Sequence, residues 1–266
     1  MSGGVAGALA GVDGLLIDID GVLAVSWRAV PGAPEALAGL RATGVPFRLM
    51  TNTTELTRRE LVAVLGRVGF DVRADEVLTA ALMAAEYLRA NHPGARCFLL
   101  GGAESNEDLE GIDLVRDAPD VVVIGGASRA FPWEEMNRAL RFVLGGAALV
   151  GMHASLSWMT EEGMVLDPGV ILLRGLEAAA GRMAVVCGKP SPEAFASALR
   201  LLGLPGERAA MVGDDLETDV LAAQAVGLTG VLVRTGKFRH DVLERSARRP
   251  DHVLDSIADL PEALQR

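Results

Sequence analysis

Cysteine is scarce. The 266 residues include two, Cys97 and Cys187, far apart and without a C-x-x-C spacing. Neither a disulfide framework nor a zinc site is suggested, and two reduced thiols in a cytoplasm are the expectation. Aromatic residues make up 4% of the chain, although 50% is hydrophobic. The core is therefore expected to be Ala, Val and Leu, a composition suited to layered α/β architecture. Positive charge is also short, with 25 Lys and Arg against 35 Asp and Glu for a net charge of −10. Nucleic acid is disfavoured as a partner, and any anionic ligand has to be held by local positive groups. No window reaches the about 18 apolar residues of a membrane span. The N-terminus MSGGVAGALAG lacks a basic leader region, so the chain reads as cytoplasmic and not membrane-bound. Its glycines lack the G-x-G-x-x-G order and follow no strand, and the segment reads as a flexible tail. Internal repeats, charge blocks and low-complexity stretches are missing too.

What is present is alternation. Short runs of Val, Ile and Leu are separated by segments of helical period, the pattern of βαβ units around a parallel sheet. LLIDI is the first run. PGAPEALAGLRATG then opens with Pro-Gly turn chemistry, places Leu37 and Leu40 on one helical face and stops at Gly44. The strand VPFRLM leads to TNTT and an amphipathic helix in LTRRELVAVLGRVGF. From about residue 81 to about 184 the alternation restarts. Its candidate strands are RCFLL, VVVIG and ALVGM, with helices near 81–90, 132–144 and 170–180. Three further units follow in MAVVCGKPSPEAFASALRLLG, ERAAMVGDDLETDVLAAQAVG and TGVLVRTGKF, and the end of the chain reads as a loop with a closing helix.

In open parallel sheets the functional crevice lies beyond the carboxyl ends of the strands. Four strand ends carry chemistry here: IDIDG with Asp18 and Asp20, TNTT with Thr51 and Asn52, CGKP with Lys189, and VGDDLETD with Asp214, Asp215 and Asp219. Asp18 and Asp20 are two apart in extended chain, so both carboxylates can face one pocket while Ile19 packs inward. Such crowding of like charge calls for a cation. With Asp214 the set is all oxygen and too small for a closed cage, which is how Mg²⁺ is usually held. Phosphoryl transfer suits this set. Asp18, nearest the strand, is the candidate nucleophile. Asp20 is the candidate general acid and base, with its backbone carbonyl as an alternative metal ligand. Thr51, Asn52 and Lys189 are of the types that bind phosphoryl oxygens. Each motif alone has a plainer reading as a turn or helix cap. Their conjunction in this order carries the inference.

These motifs, DIDGV, the Thr of TNTT, GKPSPEAF and GDDLETDVLAAQAVGLTGVLVRTGKF, resemble those of the haloacid dehalogenase superfamily over nearly the whole chain. The long insert resembles the class IIA, NagD-like cap. Within that class the chain is similar to the phospholysine phosphohistidine inorganic pyrophosphate phosphatase group. The resemblance implies an α/β fold: a Rossmann-like core with a parallel sheet over residues 1–80 and 185–266, and an inserted α/β C2-type cap over 81–184. It also implies a Mg²⁺-dependent phosphatase acting on a small phosphorylated metabolite, with a homodimer through the cap as a further implication. Carried over, Asp18 is nucleophile and metal ligand, Asp20 acid/base and carbonyl ligand, and Asp214 the third ligand. Thr51, Asn52 and Lys189 bind phosphate. Asp219 supports the metal or the lysine, ranked above its neighbour Asp215. That phosphatase group carries serine at the second position of the first motif, where this chain has Asp20, so ordinary monoester hydrolysis is the expectation. A phosphomutase or other phosphotransferase and a non-catalytic metal-binding regulator are the alternatives. In the cap, His153 is read as structural more often than as a substrate contact, and Glu161 with Glu162 as a solvated turn.

Overall fold

The computed structural model describes residues 6–54, 56–101, 107–126, 131–160 and 163–265, and for 158–164 the backbone alone. Glu161 and Glu162 lie outside the described residues. The chain divides into two compact units. One comprises Met1–Thr51, Arg59–Leu78 and Ala198–Arg266, and the other Asn52–Arg58 and Thr79–Ser197.

The first unit is built on a six-stranded sheet. Its strands run, in spatial order, 252–254, 229–233, 209–213, 14–18, 47–50 and 77–78, and every neighbouring pair is parallel. Gly14–Asp18 sits inside the sheet, and all five of its residues are buried. A run that is apolar without alternation fits a strand covered on both faces. The next strand of this sheet in sequence, Phe47–Met50, lies on one side of it and Ala209–Gly213 on the other. Strand order therefore reverses at Gly14–Asp18, the position where open α/β sheets leave a crevice beyond their carboxyl ends. The helix Ala33–Thr43 has Pro in its first turn. It buries Leu37 and Leu40 and ends at Gly44, whose left-handed backbone (φ 76°) lets its N–H bond to the Arg41 carbonyl. Arg58–Arg67 is the second helix and buries Leu61 and Leu65.

Three features depart from the reading of the sequence. The N-terminal segment is not a loose tail from residue 6 onward: Leu9 is buried and its N–H donates to the Ala263 carbonyl at 2.8 Å. Apolar contact and a backbone bond to the last helix anchor it. The terminal loop contains the edge strand His252–Leu254, paired with Val231–Val233. A hairpin, Ala24–Val25 with Arg28–Ala29, follows the first strand, with Ser26 and Trp27 both at positive φ in its turn.

The second unit carries a five-stranded parallel sheet in the order 185–186, 148–151, 121–124, 96–100 and 113–114. Its helices are Ala80–Asn91, Trp133–Leu144 and Pro168–Ala180, in the places expected from periodicity. Phe98, Val122, Ile124, Val143, Leu149 and Leu173 form its core. Thr79 and Asp167 cap two of the helices, their side chains accepting the N–H of Leu82 and Val170. An antiparallel hairpin, Ser157–Thr160 with Gly163–Leu166, completes the unit. Among the described residues no helix is long and apolar enough to cross a membrane.

Candidate active site

Asp18 is the last residue of the central strand, and Asp214 follows the last residue of the adjoining one, Gly213. The pairing Ile17 with Val212 brings the two strand ends level. Asp219 arrives by a different route. After Asp214 the chain enters a wide, π-helical turn, Leu216–Leu221, opened by Asp215, whose Oδ1 accepts the N–H of Glu217 and Thr218, each at 3.0 Å. The wide turn places Asp219 back over Gly213, where a Cβ would fall 2.3 Å from that of Asp219. Such turns recur at functional sites because the extra residue re-aims a side chain.

Asp18, Asp214 and Asp219 thus converge, with one carboxylate oxygen of each within 4.8 Å of the others, and all three are buried. Two unit charges at that separation repel by about 3 kcal/mol at an effective dielectric near 20. Burial, with Asp18 and Asp219 adding to it, pushes the Asp214 carboxyl up to about 7 against the opposing effect of the Lys237 N–H. That N–H donates to Asp214 Oδ2 at 2.6 Å, whereas Asp214 Oδ1 is buried without a hydrogen-bond partner. An orphaned carboxylate oxygen within an acidic trio is the environment a hard divalent cation satisfies, and an all-oxygen donor set suits Mg²⁺. The residues present fit the ion.

The loop 235–237 carries no acidic or phosphate-binding motif, yet it closes over Asp214. Gly21 (φ 91°) and Gly236 (φ 55°) flank the carboxylate, and a Cβ on either would come within 2.0 Å of Asp214 Oδ2. The Thr235 hydroxyl ties the two segments together by donating to the Gly21 carbonyl at 2.6 Å. The signal in the sequence is a glycine three residues past the end of the strand Thr229–Val233, in TGK.

The other expected residues fall as follows. Asp20 is exposed and its carboxylate is not a member of the trio. Asp215 is engaged as the cap described above. Thr51 is buried just past the strand Phe47–Met50, whose Met50 pairs with Asp18, and its N–H donates to the Leu78 carbonyl. In the other unit, Asn52 and Lys189 meet: the Asn52 side chain bonds both the carbonyl and the N–H of Lys189, which is itself buried. His153 is buried there too, its Nε2 3.3 Å from Asp167 Oδ2.

Comparison with known proteins identifies the family. A haloacid dehalogenase-like hydrolase family model matches residues 15–115, and a related HAD-hydrolase-like model matches 186–260. The phospholysine phosphohistidine inorganic pyrophosphate phosphatase of Rattus norvegicus is 37% identical over 262 residues, 96% of this chain and 95% of that protein. Among solved structures, the 4-nitrophenylphosphatase of Thermotoga maritima superposes with a TM-score of 0.87 at 31% identity, covering 97% of this chain and 99% of the other. NagD from E. coli K-12 does so with a TM-score of 0.85 at 31% identity, covering 93% and 97%. With an acidic trio at the switch point of its parallel sheet and relatives matching over nearly its full length, the chain belongs to the haloacid dehalogenase-like hydrolases, among the class IIA phosphatases.

Proposed function

We propose that this chain hydrolyses small-molecule phosphate monoesters with Mg²⁺ through a phosphoenzyme on Asp18. The convergence of Asp18, Asp214 and Asp219 within 4.8 Å, with one oxygen of Asp214 buried and unpartnered, carries the reading. Asp18 and Asp214 would hold the ion together with the Asp20 carbonyl, and Asp219 would orient the ion's waters or neighbouring groups. When bound, Mg²⁺ supplies charge neutralisation, both among the carboxylates and on the phosphoryl oxygens.

The remaining chemistry belongs to side chains. An Asp18 oxygen attacks phosphorus, the ester P–O bond breaks, and the leaving alkoxide takes a proton from the Asp20 carboxyl. Water then attacks the aspartyl phosphate, gives its proton to Asp20, and releases inorganic phosphate with Asp18 restored. The exposure of Asp20 suits a group that exchanges protons with solvent and substrate. Thr51, Asn52 and Lys189 form the phosphate-binding set, Asn52 through the Lys189 backbone that its side chain bonds. The same reading assigns residues 1–80 and 185–266 to the catalytic core and 81–184 to a cap that selects the substrate, a small phosphorylated metabolite, and through which the chain pairs as a homodimer. Two buried free cysteines accord with a cytoplasmic address.

The deciding experiment is release of phosphate from an aryl phosphate, with and without Mg²⁺, by the parent and by Asp18→Asn. Activity that needs Mg²⁺ and falls by about a thousandfold or more in the variant is expected for loss of a nucleophile. Equal rates in the two proteins would remove Asp18 from the mechanism and the proposal with it.

A further inference from the structure

We propose that Asn52 is a positioning residue for Lys189, clamping its main chain so that the ammonium is presented to the phosphoryl group. The inference rests on the phosphatase reading for the role of Lys189. Asn52 Nδ2 donates to the Lys189 carbonyl at 2.8 Å, and the Lys189 N–H donates to Asn52 Oδ1 at 2.9 Å. Two bonds thus close a ring between one side chain and the backbone of one residue 137 positions away. Reversing the amide would set donor against donor and acceptor against acceptor, so the ring itself determines which end is which.

The surroundings leave the ring little freedom. A Cβ at Gly188 would stand 2.7 Å from Asn52 Oδ1, 2.7 Å from the Met152 carbonyl oxygen and 3.1 Å from the Cβ of His153. The loop before Lys189 is therefore pressed against both the clamp and the end of the strand Ala148–Gly151. Lys189 is only 5% exposed. An exposed lysine finds its ligand by sampling rotamers in water, but a buried one depends on where its Cα is held. A residue whose main role was to touch the anion would direct its amide donors there, whereas here each end of the carboxamide is on the backbone of the lysine.

The test is a double-mutant cycle on the full chain with Mg²⁺ present. It reads the Kd of inorganic phosphate by calorimetry alongside kcat/KM for an aryl phosphate. In the parent background Asn52→Ala is expected to weaken phosphate about tenfold or more, the scale of a buried hydrogen-bonded pair lost. In the Lys189→Ala background it is expected to change the Kd by less than about twofold, because the group it positions is gone. Losses that multiply across the two backgrounds would show Asn52 meeting phosphate by itself and would overturn the proposal. So would a parent-background effect no larger than the effect seen without the lysine. If Asn52→Ala does not fold, Gly188→Ala presses on the same ring from its other side and is expected to couple to Lys189→Ala in the same way. A parent that neither binds phosphate nor turns over defeats the phosphatase reading, while a parent that binds phosphate and shows additive losses defeats only the clamp.

Discussion

The main-chain N–H of Lys237 donates to Asp214 Oδ2 at 2.6 Å, fixing one oxygen of the carboxylate and leaving Oδ1 as its open ligand. This contact requires the close passage of Gly236 and Gly21. A Cβ at 236 would lie 2.0 Å from Asp214 Oδ2 and 2.4 Å from the Gly21 Cα, at a φ of 55°. Gly236→Ala must therefore push the loop off Asp214. Its Mg²⁺ affinity, measured by calorimetry, is expected to fall about tenfold or more, as for loss of a partner that orients a metal ligand. Gly44→Ala is the control. Gly44 also has positive φ (76°) but open space around it, so that variant should lose about 1 kcal/mol of stability and keep its Mg²⁺ affinity. Equal Mg²⁺ binding by Gly236→Ala and the parent would show that the loop does not position Asp214.

The Asp214 carboxyl, pushed up to about 7 mainly by burial, also predicts how the metal-free protein responds to pH. Its folded-state value lies above the usual aspartate value of 3.8, so between these limits the native state holds a proton that the unfolded state has released. The contribution is fully present below about pH 4 and is lost as pH rises through about 7. In metal-free buffer the melting temperature of the parent should fall, relative to that of Asp214→Asn, as pH goes from 5 to 8. The variant should be the more stable protein at pH 8, by a few degrees and by no more than about 4 kcal/mol. Adding Mg²⁺ should restore the parent and leave the variant unchanged. Parallel melting curves for the two proteins across that pH range would contradict the burial argument.

Much of the fold was legible because the core strands and helices announce themselves locally. GLLID has no polar residue until its end, and Ala33–Thr43 is bounded by Pro34 and Gly44, so period and punctuation agree with the structure. What escaped depends on contacts distant in sequence. Leu9 is ordered by Ala263, and His252–Leu254 is a strand only because Val231–Val233 offers it an edge. The site divides the same way. Asp18 and Asp214 are strand-end residues and could be picked from their runs, whereas the approach of Asp219 depends on the wide turn at 216–221, which no period marks. The residue type of Asn52 suggests a phosphate contact, and the partner that engages its amide is hidden from the sequence because it is 137 residues away.

The two thiols give a prediction independent of the catalytic chemistry. Cys187 is fully buried next to Gly188, and burial, with a smaller contribution from Glu193, pushes its thiol up to about 12. Burial does the same to Cys97, up to about 11, helped by Asp113 and Asp120. The thiolate is the reactive form, and at pH 8 less than about one part in a hundred of either thiol would be ionised. The native protein is therefore expected to release almost no chromophore from an aromatic disulfide reagent at pH 8. After unfolding in guanidinium chloride it should titrate as two thiols per chain. Stoichiometric labelling of the native protein within minutes would mean that the strand end Val185–Val186 and the segment leading to Lys189 open readily, which the packing of Gly188 against Asn52 and Met152 opposes.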